Sequence, residues 1–171
     1  MSQTSVTTRQ PVSVAGMPGD EAGGLYEYES GHNQNASASL FFGRMAAAGS
    51  ETDGAQTLAA TSDRLKGVLV LSQNYDPNTD LASDGGIAPD VHGSFMRRGR
   101  VWVEVEEAVT PASVVRVRVV ADTEGPVGRF ADTADTGKTV VLKSARFLGT
   151  TTAAGQLVLV EFDLLDGITA D

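Results

Sequence analysis

Hydrophobic and polar residues alternate strictly in two stretches near the middle of the chain. Every second residue is valine in residues 101–105 and again in residues 115–119. Alternation with a period of two places the valines on one face of an extended strand and the intervening residues on the other face. Both stretches are therefore predicted to be half-buried β-strands. The residues opposite the valines are Trp102, Glu104 and Glu106 in the first stretch, and Arg116 and Arg118 in the second.

We predict that these two strands form an antiparallel hairpin with its turn at Pro111. In that register Glu106 lies opposite Arg116, Glu104 lies opposite Arg118, and valine faces valine. Each such cross-strand pair contributes roughly 0.2–1 kcal/mol. The four charges are therefore expected to be structural, with the arginines keeping the pKa values of both glutamates low.

Further short apolar runs predict a mainly β fold. Residues 65–71 form a continuous apolar run, which is typical of a strand buried on both faces. Residues 46–62 are rich in Ala, Gly and Thr and are expected to form a loop. Short strands without a clear helix favour a small β-barrel or sandwich-like single domain with long loops and little helix. The other predicted strands are residues 40–42, 139–142, 145–148 and 157–164.

The first part of the chain has a different composition from the rest. It is polar, carries turn signals, and has too few apolar residues to form a core alone. We therefore expect an extended N-terminal arm over residues 1–37, a β-rich domain over residues 38–167 and a C-terminal tail over residues 168–171.

Composition excludes several classes of function. The 171 residues carry a net charge of −9 with a sequence pI near 4.6 and contain no cysteine. Nucleic-acid binding requires a clustered basic surface, and disulfide or thiolate chemistry requires cysteine. The N-terminal sequence lacks the pattern of a signal peptide, and no apolar run approaches the roughly 20 residues that cross a bilayer. We expect neither a nucleic-acid partner nor a membrane partner.

No motif for catalysis or for a cofactor withstands inspection. His32 and His92 are far apart in sequence, are expected to lie in loops, and show no helical or hairpin spacing of metal ligands. Residues 76–80 match only the first positions of a calcium loop. There is no G-x-S-x-G nucleophile motif. We therefore expect no catalytic residue, no cofactor and no metal.

Several segments, taken in order, resemble the structural cement (capsid decoration) proteins of tailed bacteriophages. The resemblance extends over roughly residues 10–165, and its most specific part is the run around Trp102. The segments are Val14-Ala15-Gly16-Met17, Leu40-Phe41-Phe42-Gly43-Arg44-Met45, Lys66-Gly67-Val68-Leu69-Val70, Met96-Arg97-Arg98-Gly99-Arg100-Val101-Trp102-Val103, Ala108-Val109-Thr110-Pro111, Val127-Gly128-Arg129-Phe130, Ala145-Arg146-Phe147-Leu148 and Gly155-Gln156-Leu157-Val158-Leu159-Val160-Glu161-Phe162.

The resemblance implies a virion structural protein without enzymatic activity. Such a protein is made in the bacterial host cytoplasm, lies on the outer surface of the icosahedral head and bridges neighbouring major capsid proteins. It would also associate with itself, as a homotrimer in preference to a dimer. The contacts are expected in residues 10–45 and 76–94, including Met17, Tyr26, Tyr28 and Arg44, and also at Tyr75.

Other interpretations remain open at this point. Tyr26 and Tyr28 would equally suit the cover of the protein's own core. The chain would also suit another virion β-protein, such as a tail or head–tail connector component. A small β-barrel enzyme acting through carboxylates is a third alternative, and it requires a pocket that holds a carboxylate of raised pKa.

Overall fold

Eleven β-strands make up the regular structure of the residues that the structure describes. The computed structural model describes residues 14–19, 26–71, 81–82, 85–123 and 125–170, with side chains described as far as residue 165. Within these ranges the chain forms no helix, and hence none that is long and apolar enough to cross a membrane. The mainly β prediction is confirmed. The strands are β1 (Glu27–Asn33), β2 (Leu40–Phe41), β3 (Met45–Ala48), β4 (Gly54–Gln56), β5 (Leu65–Val70), β6 (Gly86–Ile87), β7 (His92–Glu104), β8 (Arg116–Arg118), β9 (Phe130–Ala131), β10 (Thr139–Phe147) and β11 (Leu157–Ala170).

The long strand β7 organises a nine-stranded sheet. The strand order is β1-β4-β3-β5-β7-β11-β10-β8-β9, and β1 pairs with β7 as well. The first half of β7 thus lies between β5 and β1, which closes one ring of strands. Its second half pairs with β11, and a bridge from Val105 to Phe130 of β9 closes a second ring. Closing both rings leaves few unpaired sheet edges.

Gly99 lies where β7 changes partners. Its φ is +137°, and a Cβ atom at this position would lie 2.7 Å from Cδ1 of Tyr26. Glycine in a strand interior often marks such a bend or a close approach. The absence of a side chain therefore lets β7 pass from one ring into the other.

The core has two clusters of buried side chains, one on each side of β5 and β7. All six residues of β5 are buried, as predicted from its continuous apolar sequence. Val68 belongs to the larger cluster and Leu69 to the smaller one, since neighbouring residues of a strand point in opposite directions. Met96 and Phe95 of β7 divide in the same way. Apart from Lys66, whose amine pairs with Glu29, β5 carries no polar side chain, because both of its faces lie against core.

The predicted hairpin between residues 101–105 and 115–119 is wrong. β7 pairs with β1, β5 and β11, whereas β8 pairs with β9 and β10. The valine faces are nevertheless predicted correctly, because all six valines are buried in the larger cluster. Alternation specifies which face is buried but not which strand lies alongside, and consecutive strands are neighbours only about two-thirds of the time.

Two smaller expectations about strands also need correction. Residues 46–62, expected to be a loop, contribute to β3 and β4, where Ala46, Ala47 and Ala55 are buried. The two strands predicted over residues 139–148 are a single strand, β10, with an irregularity between Leu142 and Ser144. The buried alanines of β3 and β4 give a weak hydrophobic signal, so the hydrophobic pattern of the sequence does not reveal these two strands.

The proposed division of the chain at residue 37 remains a proposal. β1 lies inside the proposed arm and is paired with β4 and β7, and the backbone of β11 extends to Ala170. Any arm that extends beyond the sheet therefore consists of residues before β1.

Candidate functional site

Three of the segments that carry the family resemblance meet in space. Residues 14–19 run along the edge of the second half of β7. Gly16 and Gly19 donate backbone hydrogen bonds to the carbonyls of Trp102 and Arg100, at 2.8 Å each, and Trp102 donates one to Met17 at 2.9 Å. The turn over residues 41–44 lies beneath this segment, with Gly43 donating to the carbonyl of Leu69 at 2.8 Å. We call residues 14–19 and 41–44 together the crossing.

The crossing depends on two glycines. Gly16 has a φ of +78° and Gly43 a φ of +73°, in the left-handed region that favours glycine. A Cβ on Gly16 would lie 2.8 Å from the backbone nitrogen of Gly43, and one on Gly43 would lie 2.7 Å from that of Gly16. The two backbones therefore touch, which explains why both motifs carry glycine here.

Apolar side chains are exposed at the crossing. Val14 is 45% exposed and Met17 is 43% exposed. Leu71, also partly exposed, follows β5 and donates its backbone N–H to the carbonyl of Gly16 at 2.9 Å. Because backbone hydrogen bonds hold these residues, their side chains are presented to solvent on an ordered support.

A cavity of about 320 Å³ adjoins the turn of the crossing. Its walls are mostly small and apolar, and they include Phe41, Arg44 and Met45. The guanidinium carbon of Arg44 lies 4.2 Å from the centre of the Phe41 ring, a cation–π contact. Concave apolar surfaces with a few polar groups are typical of binding sites. The other lining residues are Ser37, Ala38, Ser39, Leu40, Ala46, Thr57, Leu69, Ala121, Pro126 and Val127.

The two tyrosines of the N-terminal section differ in their surroundings. Their rings stack, with centroids 6.4 Å apart and planes inclined by 15°. Tyr26 is partly buried and packs against the larger core cluster, whereas Tyr28 is 42% exposed. The core-covering interpretation therefore describes Tyr26, and Tyr28 remains available as a contact residue.

The charges of the predicted hairpin have partners other than those predicted. Glu106 binds Arg118 instead of Arg116, with Nε of Arg118 donating to both carboxylate oxygens at 2.9 and 2.8 Å. Glu104 forms its ion pair with Arg129, and Arg116 lies 3.8 Å from a carboxylate oxygen of Asp132. The pairs differ from the prediction because β8 lies beside β9, not beside β7.

Arg118 is the centre of a buried charge cluster. Its side chain is only 4% exposed, and its NH1 lies 3.0 Å from Asp122 and 3.1 Å from Asp135. Nζ of Lys138 lies 2.7 Å from the same carboxylate of Asp122. A cavity of about 260 Å³ lies against this group, which we call the Arg118 cluster (Glu106, Arg118, Asp122, Asp135 and Lys138).

The expectation of a low pKa for Glu106 is wrong. Burial, which outweighs the hydrogen bonds and the charge of Arg118, raises the pKa of its carboxyl above the ordinary value. Both oxygens nevertheless remain against the guanidinium of Arg118, so the carboxylate is hydrogen-bonded within the protein. A cavity holding such a carboxylate is the feature that the enzymatic alternative required.

Other acidic groups have lowered pKa values. Partial burial raises the pKa of Glu107, but hydrogen bonds from Thr133 and from the backbone of Asp132 outweigh it and lower the pKa. Hydrogen bonding by Arg146 is the main reason that the pKa of Glu161 is low. Burial opposes the effect at Glu29, where Lys66 and Arg97 together still lower the pKa.

The two histidines lie side by side, although both were expected in loops. His32 is on β1 and His92 is the first residue of β7, and the two are paired in the antiparallel register. Their ring centroids are 5.5 Å apart. No sequence spacing gives this pair, because 59 residues lie between the two histidines and only the sheet brings their strands together.

Two of the predicted contact regions extend outside the described residues. Tyr75 lies outside them, as do residues 10–13, 20–25, 76–80 and 83–84. The expectation for Tyr75 and for these parts of residues 10–45 and 76–94 therefore stays a prediction. The cavity beside Arg44 was not foreseen. Its walls come from segments far apart in sequence, and no local pattern marks it.

A solved structure has a fold similar to that of this protein. A chain in the solved capsid of Myoviridae phage XM1 matches with a TM-score of 0.65 and 17% sequence identity, over 92% of this chain and 95% of that chain. This likeness shows the fold: an all-β architecture that is present in a bacteriophage capsid. No curated protein matches the sequence.

The family itself follows from the sequence match. The family model described as structural cement protein (E217 gp24/Pam3 gp6) matches residues 2–163. The chain therefore belongs to the phage structural cement protein family, and its role is that of a capsid structural protein. The resemblance identified from the motifs is confirmed, and the family differs from the tail and connector components considered as alternatives.

Proposed function

We propose that this protein binds the outer surface of a phage head and bridges neighbouring major capsid proteins through the crossing and its adjoining cavity. The observation that carries the proposal is the exposed apolar pair Val14 and Met17. The carbonyl of Met17 accepts a backbone hydrogen bond from Trp102 of β7, and the carbonyl of Val14 accepts one from the backbone N–H of Met17. Exposed apolar groups on a fixed backbone lose little conformational entropy when a partner covers them.

The proposed contact residues are Met17, Tyr28 and Arg44, with Tyr26 supporting Tyr28 by stacking and Tyr75 retained from the sequence prediction. Arg44 lies at the mouth of an apolar cavity and suits a partner with an acidic or carbonyl group beside an apolar one. Arginine and aromatic residues often contribute most of the energy of an interface.

Many copies on one capsid lattice make a modest individual affinity sufficient. Each subunit that contacts two capsid proteins gains avidity, because the second contact forms at high effective concentration. The net charge of −9 keeps the free protein soluble before it binds. We further propose a homotrimer, with a dimer as the alternative, and light scattering of the purified protein distinguishes these states.

We infer that the Arg118 cluster is structural and that the protein is not an enzyme. The carboxylate of Glu106 already accepts hydrogen bonds from Arg118, and Arg118 is in turn held by two further acids. A substrate would have to displace these internal partners. The substitution Glu106→Gln is expected to change the stability of the fold while capsid binding by the folded protein persists.

A reconstitution experiment tests the proposed contact surface. Heads lacking the protein are mixed with purified wild type, Val14→Asp or Val114→Asp, and bound protein is measured after sedimentation. Val14 and Val114 are both 45% exposed, but Val114 donates its backbone N–H to Asp132 and does not belong to the crossing. We expect Val14→Asp to weaken binding at least about tenfold, or roughly 1.4 kcal/mol, and Val114→Asp to bind as wild type does.

Heat resistance of the heads tests the stabilising role separately. Heads reconstituted with wild-type protein should release DNA at a higher temperature than bare heads do. Equal resistance with and without bound protein would contradict stabilisation by bridging, and equal binding of the two valine variants would contradict the crossing as the contact surface.

A further inference from the structure

The histidine pair on β1 and β7 lies at a close cross-strand position. The backbone N–H of His32 donates to the carbonyl of Asp53, at 3.1 Å, and so points away from β7. The next residue, Asn33, donates to Val91 at 2.9 Å. His32 and His92 therefore form a non-hydrogen-bonded antiparallel pair, in which the side chains lie closest together and on the same face.

Two carboxylates approach this pair from the turn that precedes β4. Nδ1 of His32 lies 3.3 Å from Oδ1 of Asp53, and Nε2 lies 3.4 Å from Oε2 of Glu51. One donor atom from each of His32, Asp53 and His92 lies within 4.8 Å of the other two. The side chains of Glu51 and Asp53 are 63% and 53% exposed, so the group is open to solvent.

We propose that His32, His92 and Asp53 bind a zinc-type divalent transition-metal ion, with Glu51 orienting the ring of His32. Two imidazoles and a carboxylate form a typical donor set for zinc, with ligand distances of about 2.0–2.2 Å and a fourth position left for water. Ligands at that distance in a tetrahedron lie about 3.4 Å apart, close to the separation between His32 and Asp53. The donor atom of His92 lies within 4.8 Å of the other two, and His92 and Asp53 are exposed, so binding requires these side chains to move closer together.

The arrangement of Glu51 supports a metal site in particular. A ligating histidine commonly donates its second ring nitrogen to a carboxylate, which fixes the tautomer and the ring orientation. Here Asp53 faces one nitrogen of His32 and Glu51 faces the other. Imidazole ligands favour zinc, copper or nickel, whereas calcium and magnesium require oxygen donors. The site should therefore select transition metals despite the acidic composition of the protein.

Metal at this position would join three separate parts of the chain. His32 lies on β1, Asp53 in the turn before β4, and His92 at the start of β7. A ligand that binds only the folded state stabilises it by mass action. The proposal departs from the expectation of no metal, which rested on spacing along the sequence. It does not depend on the capsid-contact surface.

The test uses the untagged full chain, freed of metal with a chelator and titrated with ZnCl₂ by calorimetry. We expect one zinc per chain in the wild type and a rise in melting temperature with zinc concentration. His92→Gln, at an exposed position, should lower zinc affinity by a factor of about 100 or more, and Glu51→Gln by about 10. Asp90→Asn serves as the control, because Asp90 is an exposed carboxylate outside the cluster. It should bind as the wild type does.

Three results would overturn the proposal. They are the absence of zinc binding by the wild type, unchanged binding by both His92→Gln and Asp53→Asn, and equal binding of zinc, calcium and magnesium. Circular dichroism of both variants shows whether they are folded, so a loss of binding counts only in a protein with the wild-type spectrum.

Discussion

Two cavities in the described part of the protein are similar in size but differ in their walls. The charged groups of one are already paired within the protein, whereas the walls of the other are mostly apolar. Glu106, Arg118 and Asp135 of the Arg118 cluster line one cavity of about 260 Å³. The carboxylates of the cluster are paired with the guanidinium of Arg118 or the amine of Lys138. The other cavity, of about 320 Å³, adjoins the crossing and is mostly apolar. Charged residues in a cavity can thus be part of the protein's own framework, whereas exposed apolar residues on an ordered backbone indicate a surface for a partner.

Among the variants considered, Arg118→Ala should cause the largest loss in the free energy of unfolding. This substitution leaves the buried carboxylate of Glu106 without its cation, while Asp122 and Asp135 keep their ion pairs with Lys138. Breaking a buried ion pair by deleting one partner costs about 3–5 kcal/mol. Urea unfolding should show a loss in that range.

Arg146→Ala is the matched control for this measurement. Arg146 also pairs with a glutamate, Glu161, but its side chain is 65% exposed. Exposed pairs contribute about 0–1 kcal/mol. Similar losses in the two variants would show that the Arg118 cluster is not a buried framework element.

The crossing should be sensitive to a single methyl group on Gly16. Gly16 and Gly137 share a φ of +78°, but only Gly16 touches other backbone atoms, since nothing lies within 4 Å of a Cβ at Gly137. Gly137→Ala should cost only the conformational term of about 1–2 kcal/mol. Gly16→Ala should cost more, because the turn at Gly43 must also move.

Thermal unfolding of the two alanine variants measures this difference directly. If folded Gly16→Ala binds capsids more weakly while Gly137→Ala binds as wild type does, the result would support the crossing as the capsid-contact surface. Equal losses of stability would indicate that the backbone contact at Gly16 contributes nothing.

The pH dependence of stability due to Glu107 should be a smaller effect than the losses of stability expected for Arg118→Ala and Gly16→Ala. The pKa of Glu107 is lowered in the folded protein, so its contribution is present above the ordinary carboxyl pKa of about 4.3. That contribution is lost as the pH falls through the lower folded-state value. Glu107→Gln should therefore make the decline of stability below this pH shallower.

Glu106 should change the pH dependence of stability in the opposite direction to Glu107, and it therefore serves as the internal control. Its pKa is raised by folding, so the folded protein takes up this proton more readily than the unfolded chain. The free energy of unfolding of Glu106→Gln, measured by urea titration at several acidic pH values, should decline more steeply than that of the wild type. Identical pH slopes in both glutamine variants would contradict these assignments.

Much of the fold follows from local patterns in the sequence. The burial of β5 was predicted from its apolar run, and the burial of the valines at 101–105 and 115–119 was predicted from hydrophobic periodicity. Periodicity succeeds here because a strand's side chains alternate between faces whatever its neighbours are. The family too was recognisable from the ordered motifs, and the match over residues 2–163 confirms it.

Partners across strands were decided only by the tertiary structure. The sequence determined which charged residues lie on the strand face opposite the valines, namely Glu104, Glu106, Arg116 and Arg118. The order of strands in the sheet determined that Glu106 pairs with Arg118 and Glu104 with Arg129. The same order brought His32 beside His92 and the turn at Gly43 beneath Gly16. Local alternation is a property of one strand, whereas neighbours depend on how all the strands pack around the shared core.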